Sequence, residues 1–536
     1  MRRFSSYGPI DMDIDYYAPR EELINFAFRQ LLGEHPEKGG HYITVWAPRQ
    51  TGKSGTLKEA LFKLRENPGF HVLKLNLEHL KLEEDVGNVL NSIGQWLVKK
   101  LETDLFKNKR IDTLDMFQSI FEKDILKKPL IFIMDEFDAL AENVISAIVG
   151  VFRNIYTVRR EQSDLTTENK DYLLHSVALI GVRSVLGIEN QKGSPFNVQR
   201  SIHIQNLTFE EVEAMFRWHE KESGQRFDQK VIERLFYETK GQPGLTCWFG
   251  ELLTEGCHLF KVEKDKHIDM KFFQRVYNIA LSALPNNNIL NIISKARQEP
   301  YKDIVLDMFK TDEKFAFKYD DKNHNYLYMN GVIDVEETDT GKGYMKFPCP
   351  FVQKRLFNYF ANEISGFIGK LYEPFEDIDD SITDHDLNIR NIMKRYRKYL
   401  IENWDWTFKN APRRTDLRVH EAAFHFNLYM YLSSFMRRFK GEVYPEFPTG
   451  NGKIDLIVKY AGKTYGIELK SYTDRPGYRE ALKQAAGYGK DLELEEISLI
   501  FLVESIDDEN RRKYEADFHD PDTKVKVMPV FVETGK

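Results

Sequence analysis

Two short stretches of this chain hold residues whose types and spacing suit phosphate chemistry. The first spans residues 43–54. An apolar, β-rich segment runs into Ala47, Pro48, Arg49, Gln50, Thr51, Gly52, Lys53 and Ser54, and a helical run follows. A strand, a tight loop and a helix start surround an anion with backbone N–H groups and the positive end of a helix. Gly52 permits close backbone approach. Lys53 is expected to reach the β- and γ-phosphates of a nucleotide, and Ser54 to hold Mg²⁺ through its hydroxyl. Ala47 stands where the usual pattern has a glycine. Alanine tolerates positive φ less well, so this loop is expected to open differently. Downstream, residues 130–136 form an apolar strand that ends in Asp135 and Glu136. Asp135 is expected in the Mg²⁺ shell, and Glu136 is expected to orient or deprotonate the attacking water.

The second stretch spans residues 450–470. If Ala461 and Gly462 form the turn of a hairpin, Asp455 faces Glu468 with Cβ atoms ~5 Å apart. Two carboxylates so placed repel each other unless a divalent cation, Mg²⁺ or Mn²⁺, lies between them. Lys470 is two residues beyond Glu468 and projects from the same face. Such a site can cleave a phosphodiester. The metal polarises the phosphoryl oxygen and activates water, while the lysine stabilises developing charge or positions the water.

These residues need scaffolds. Over residues 20–250, strand candidates at 42–46, 72–77, 130–135 and 177–180 alternate with amphipathic helices such as 85–101 and 141–156. That alternation predicts an α/β domain with a mostly parallel sheet. The polar segment 161–171 reads as a surface loop. Residues 251–375 are helical up to a predicted hairpin at 332–337 and 344–347, a winged-helix-like pattern. An acidic linker, 373–386, leads to a basic helix at 390–400 and then to mixed α/β sequence. The expected fold class is therefore α/β multidomain, with domains at 1–250, 251–375 and 376–536.

Composition agrees with this division. A chain of 536 residues has room for about three domains. With 42% hydrophobic and 30% charged residues it can bury cores and stay soluble. No apolar run approaches the ~20 residues of a membrane span, and the basic N-terminus has no apolar stretch behind it. Three cysteines, Cys247, Cys257 and Cys349, fit neither a zinc module nor a disulfide framework, which points to a reducing, cytoplasmic setting without a membrane partner. A net charge of −7 requires any nucleic-acid surface to be local. Lys394, Arg395, Arg397, Lys398, Arg413 and Arg414, with Trp404, Trp406 and Phe408 between them, could track phosphates. They could equally be a solvated helix face over core tryptophans.

Residues 10–250 resemble the AAA-like and STAND-like P-loop ATPases. Besides the loop and the acidic strand end, the segment Asp15 to Arg20 is similar to their adenine-side entry. Arg183 stands at the position of their γ-phosphate sensor, and Gly241, Gln242 and Pro243 match a Gly-x-Pro turn near the base. Arg200 is a candidate arginine finger. The C-terminal residues resemble the PD-(D/E)XK nucleases through Asp455 and the Glu468-x-Lys470 element, with Ile454 in place of the proline. In that family an acidic residue of the preceding helix, here Glu421, often joins the metal site. Gln484 and Tyr488 match the Gln-x-x-x-Tyr element of the RecB-like subgroup, which implies a catalytic role for Gln484. Together the resemblances imply an ATP- and Mg²⁺-dependent nuclease that acts on nucleic acid, with DNA favoured, under nucleotide control. They also imply homo-oligomer formation as an option and a role in defence against mobile elements. The alternative is a STAND-like sensor whose nuclease-fold domain only binds DNA or a partner protein.

Overall fold

The computed structural model describes residues 2–8, 10–103, 106, 109–181, 199–311, 314–339, 341–365, 378–409, 411, 419–437, 439–446, 455–471 and 475–534. They form two compact units. The first comprises 1–288 and 319–331, the second 289–318 and 332–536.

The first unit is built on strands β1 (Tyr42–Trp46), β2 (His71–Asn76), β3 (Leu130–Asp135), β4 (Leu174–Gly181) and β5 (Gln199–His203). They pair in parallel in the order β2-β3-β4-β1-β5. The central strands β1, β3 and β4 are buried along their whole length, as expected where helices cover both faces of a parallel sheet. Successive side chains alternate between those faces. Ile43, Val45, Ile131 and Ile133 pack with Leu31, Leu57 and Leu61 of the helices Glu21–Leu32 and Lys53–Arg65. Tyr42, Phe132 and Met134 pack with Ile93, Leu97, Ile148 and Phe152 of the helices Val86–Leu101 and Glu142–Glu161. Asp85 caps the helix Val86–Leu101 by accepting from the Asn88 N–H, so that start is legible in the sequence.

Segment 161–171 is exposed over most of its length, as expected of a surface loop, and two of its side chains anchor it. Thr167 and Lys170 are buried, and Lys170 Nζ donates to the carbonyls of Lys38 and Arg159. Strand β5 had no apolar alternation to announce it and forms the edge of the sheet.

The first unit also holds the short ribbon β6 (Gly256–Cys257) and β7 (Phe260–Lys261). The hairpin expected near 332–347 is present as β8 (Asp334–Glu337) and β9 (Gly343–Lys346) in the second unit. The helix before it, Lys322–Met329, belongs to the first unit: Tyr328 meets the Trp46 ring edge-on at 5.8 Å. Helix and hairpin are therefore divided between units.

The second unit carries a six-stranded sheet of β10 (Glu442–Glu446), β11 (Asp455–Tyr460), β12 (Lys463–Ser471), β13 (Glu496–Val503), β14 (Phe518–His519) and β15 (Lys526–Glu533). The order is β10-β11-β12-β13-β15-β14. The first three strands are antiparallel; β12, β13 and β15 run parallel. The helices Glu421–Arg437 and Arg475–Asp491 precede β10 and β13, respectively. Residues 378–386 are held in this unit through Asp380–Arg395 and Asp386–Lys463 ion pairs, so this part of the expected linker is anchored. Among the described residues no helix is long and apolar enough to cross a membrane.

Candidate functional site

In the first unit, β1 runs into loop 47–52 and the helix Lys53–Arg65, and β3 ends beside it. Clefts at the C-terminal ends of parallel strands are the usual ligand sites of such sheets. The positive φ angles of the loop fall on Gln50 (59°) and Gly52 (88°) and not on Ala47, which is buried. Alanine at 47 therefore carries no left-handed strain, and the expected change of loop opening has no backbone cause there.

Lys53 is 8% exposed. Its Nζ donates to the carbonyls of Ala47 (2.8 Å) and Pro48 (2.9 Å). Burial pushes its pKa down to about 8, opposed by the Glu136, Asp138 and Asp135 carboxylates. Asp135 is buried. Its Oδ2 pairs with Lys74 of β2 at 2.7 Å, and its Oδ1 accepts the Glu136 N–H. Glu136 adopts a left-handed conformation (φ 54°), an unusual one for a non-glycine residue, at the turn leaving β3. Burial, then Asp138 and Asp135, push its carboxyl pKa up, while Lys53 and Arg49 oppose. Ser54 is the second residue of the helix, and its side chain lies outside the described residues, as does the whole of Arg183. Arg200 pairs with Ile43 near the start of β1 and donates to Gln30, at the opposite end of the sheet from this chain's own loop.

The Gly241–Pro243 turn reaches the loop directly. Gln242 caps the helix Pro243–Thr254, and its Nε2 donates to the carbonyls of Arg49 (3.2 Å) and Gln50 (3.3 Å). The Gly244 N–H adds a bond to Gln50 O at 3.0 Å. Gly241 has φ 67°, and a Cβ there would lie 2.0 Å from the Leu207 carbonyl oxygen. Gly241→Ala is therefore expected to destabilise the first unit by at least about 2 kcal/mol, measured by chemical denaturation. A cost below about 0.5 kcal/mol would mean that the turn adjusts freely. A mostly apolar cleft opens beside the loop, lined by Tyr16, Tyr17, Arg20, Thr56, Glu59 and Pro243 among others.

In the second unit, Ala461 (φ 48°) and Gly462 (φ 77°) make a two-residue turn with both residues left-handed, the geometry that matches strand twist. The ladder pairs Leu456 with Ile467 through to Tyr460 with Lys463. One step further along this register, Asp455 stands opposite Glu468. Both are buried. Asp455 Oδ1 accepts the Leu469 N–H (3.2 Å), and Glu468 Oε1 pairs with Lys470 Nζ (3.1 Å). Glu468 Oε2 is buried without a hydrogen-bond partner. Burial and the Glu468 carboxylate push Asp455 up to about 8, against the Leu469 N–H and Lys470. Burial also raises Glu468, with Lys470 opposing. A buried carboxylate pair with an idle oxygen is a donor set that suits a hard divalent cation.

Other expected residues are placed elsewhere or not described. Gln484 is exposed on the helix Arg475–Asp491. Its Nε2 donates to Glu480 on the same helix (3.4 Å), and no described hydrogen bond joins it to Asp455, Glu468 or Lys470. Tyr488 packs against the core of Ala485, Ile497 and Val525. Glu421 opens its helix, with its side chain outside the described residues. Of the basic stretch, Arg395 pairs with Asp380, Arg397 with Glu533 and Lys398 with Glu402. Trp404 packs on Phe408 and Phe424. Arg395 and Arg397 are thus half-buried and Lys394 and Lys398 exposed, while Arg413, Arg414 and the Trp406 side chain lie outside the described residues.

Lys74, Glu446 and Lys354 were not singled out from sequence. Glu446 is opposite Asp455 on β10, and Lys354 Nζ pairs with it at 2.9 Å across 92 residues of chain. No local spacing announces any of the three.

No curated protein matches this chain. Among solved structures, a Walker-type ATPase of Pyrococcus abyssi is 15% identical, covering 66% of this chain and 99% of its own, with a TM-score of 0.43. Cdc6p from Pyrobaculum aerophilum is 13% identical, with 67% and 98% covered and a TM-score of 0.35. The Orc1 protein of Aeropyrum pernix, solved in complex with DNA, is 13% identical, with 64% and 92% covered and a TM-score of 0.32. A family model described as an AAA-like domain matches residues 6–295, more than half of the sequence. By that match, the chain belongs to the AAA-like domain family.

Proposed function

We propose that the first unit binds and hydrolyses ATP with Mg²⁺, and that the second is a metal-dependent nuclease of the PD-(D/E)XK kind whose access to nucleic acid, DNA above all, is set by the nucleotide. Membership of the AAA-like family and the Lys53 loop support the first half. The observation that carries the second is the buried Asp455–Glu468 pair, with its idle Glu468 oxygen, beside Lys470.

On nucleotide arrival, the Lys53 ammonium exchanges two neutral carbonyls for charged phosphate oxygens, the stronger partners. The apolar cleft at Tyr16 and Tyr17 would take the base. Glu136, whose carboxyl pKa is raised by burial and by Asp138 and Asp135, is suited to accept the proton of the attacking water. Ser54 and Asp135 are the oxygen donors that would hold Mg²⁺, with Asp135 giving up its pairing with Lys74. In the second unit, a bound divalent ion would polarise the scissile phosphate and lower the pKa of water. Asp455 and Glu468 would hold that ion, and Lys470 would stabilise the charge that develops on the phosphate. Defence against mobile elements is the setting this combination suits.

The test is cleavage by the purified full chain of DNA and of RNA, with Mg²⁺ or Mn²⁺, with and without ATP. Metal-dependent cleavage that changes with ATP is expected. Absence of cleavage under every condition defeats the nuclease reading, and identical rates with and without ATP defeat nucleotide control.

A pH dependence follows from Lys53. Its pKa near 8 in the protein without nucleotide means that above pH 8 a proton must be taken up when phosphates bind. ATP affinity is expected to be flat from pH 6.5 to 7.5 and to fall by about tenfold per unit above 8. Calorimetric Kd values up to pH 9.5 check this, and a flat profile removes Lys53 from phosphate contact.

A further inference from the structure

We propose that Glu446 is a third metal-ligating carboxylate of the second unit's site and that the buried ammonium of Lys354 holds it off in this conformation. The inference rests on reading Asp455 and Glu468 as metal ligands. Strands β10, β11 and β12 are neighbours, and directly opposed residues of antiparallel strands share a face with Cβ atoms ~5 Å apart. Glu446 pairs with Asp455, and Asp455 stands opposite Glu468 in the register of β11 and β12. The three carboxylates thus form one row across three strands. The Glu446 carboxylate acts on Asp455 electrostatically, in the same sense as that of Glu468.

Among the described residues, two ammoniums pair with this row. Lys470 pairs with Glu468 at one end and Lys354 with Glu446 at the other. The Lys354 side chain is only 1% exposed. It comes from the helix Pro350–Ser365, outside the three strands that supply the other groups. Among the described residues no three acidic, histidine or cysteine groups stand close enough together to hold an ion. In this conformation the Glu446 carboxylate is paired with the Lys354 ammonium.

Charge explains the exclusion. When the carboxylates of this row are ionised, withdrawing the Lys354 ammonium leaves one more negative charge uncompensated, which favours a divalent ion. Lys354 and the ion thus compete for the same carboxylate, with little water to screen them. Glu468 Oε2, buried without a hydrogen-bond partner, is the oxygen of the row open to a further ligand. Any movement of the helix Pro350–Ser365 that withdraws Lys354 would release Glu446 to the metal.

The experiment is Mn²⁺ binding to the full chain without nucleotide, followed by electron paramagnetic resonance. Lys354→Met is expected to bind Mn²⁺ at least about tenfold more tightly than wild type, since affinity follows the count of charged ligands. Lys354→Arg, which keeps the charge, should behave as wild type. Adding Glu446→Gln to Lys354→Met should return wild-type affinity, and Asp455→Ala should remove the binding. Unchanged or weaker binding by Lys354→Met, beside Asp455-dependent binding by wild type, overturns the role of Glu446 and leaves the metal site standing. Absence of Asp455-dependent binding in both proteins overturns both. Should Lys354→Met fail to fold by circular dichroism, Lys354→Gln leaves a neutral donor for Glu446, and no tightening there is equally fatal.

Discussion

Lys53→Ala is expected to weaken ATP binding by roughly 30- to 5,000-fold, since truncating one member of a buried, hydrogen-bonded charge pair costs ~2–5 kcal/mol. Hydrolysis should disappear with it. The magnitude rests on burial: at 8% exposure, water cannot take over the role of the ammonium. The fold itself should survive. Without nucleotide, Lys53 bonds only two backbone carbonyls of its own loop, and burial disfavours its charge. Removing it relieves a desolvation cost as it deletes those bonds. The unfolding midpoint without ATP should therefore change little, while the stabilisation that ATP confers on wild type should vanish. Calorimetry and thermal melts with and without ATP read both effects. A Kd within threefold of wild type would show that the loop does not hold phosphates through Lys53.

Asp455→Asn is expected to lower metal-dependent cleavage by at least about 10²–10³-fold, the scale on which removal of one preorganised electrostatic group acts. Asparagine keeps the shape and can still accept the Leu469 N–H. It also removes the cost of burying an ionisable carboxyl and the repulsion from Glu468, which together raise the carboxyl pKa, so the variant should be at least as stable as wild type. Lost cleavage with an unchanged or higher melting temperature is the expected pair of results. Lys470→Ala should lose activity on a similar scale while still binding metal, since its ammonium pairs with Glu468 and ligates nothing. Cleavage retained within tenfold in Asp455→Asn would place the chemistry elsewhere. Wild-type protein that binds DNA yet never cleaves it would favour the sensor alternative.

The amino-acid sequence by itself determined what depends on short-range chemistry. The run from β1 through Gly52 into the helix Lys53–Arg65, the acidic end of β3, the cap at Asp85 and the two-residue turn at Ala461 and Gly462 all follow from hydrophobic period, caps and left-handed positions within a dozen residues. That turn alone sets the register that brings Asp455 to Glu468, because a hairpin loop of fixed length leaves one pairing. Tertiary structure decided whatever depends on partners distant in the chain. Lys74 on Asp135, Gln242 on the carbonyls of Arg49 and Gln50, and Lys354 on Glu446 join segments that no period connects. The same holds for Lys170, buried in a segment polar enough to read as surface, and for the helix Lys322–Met329, which leaves its hairpin to pack with the first unit. A long polar side chain is buried only where folding supplies its counter-charge or carbonyls, and those are set by packing across the chain, not by the residues beside it.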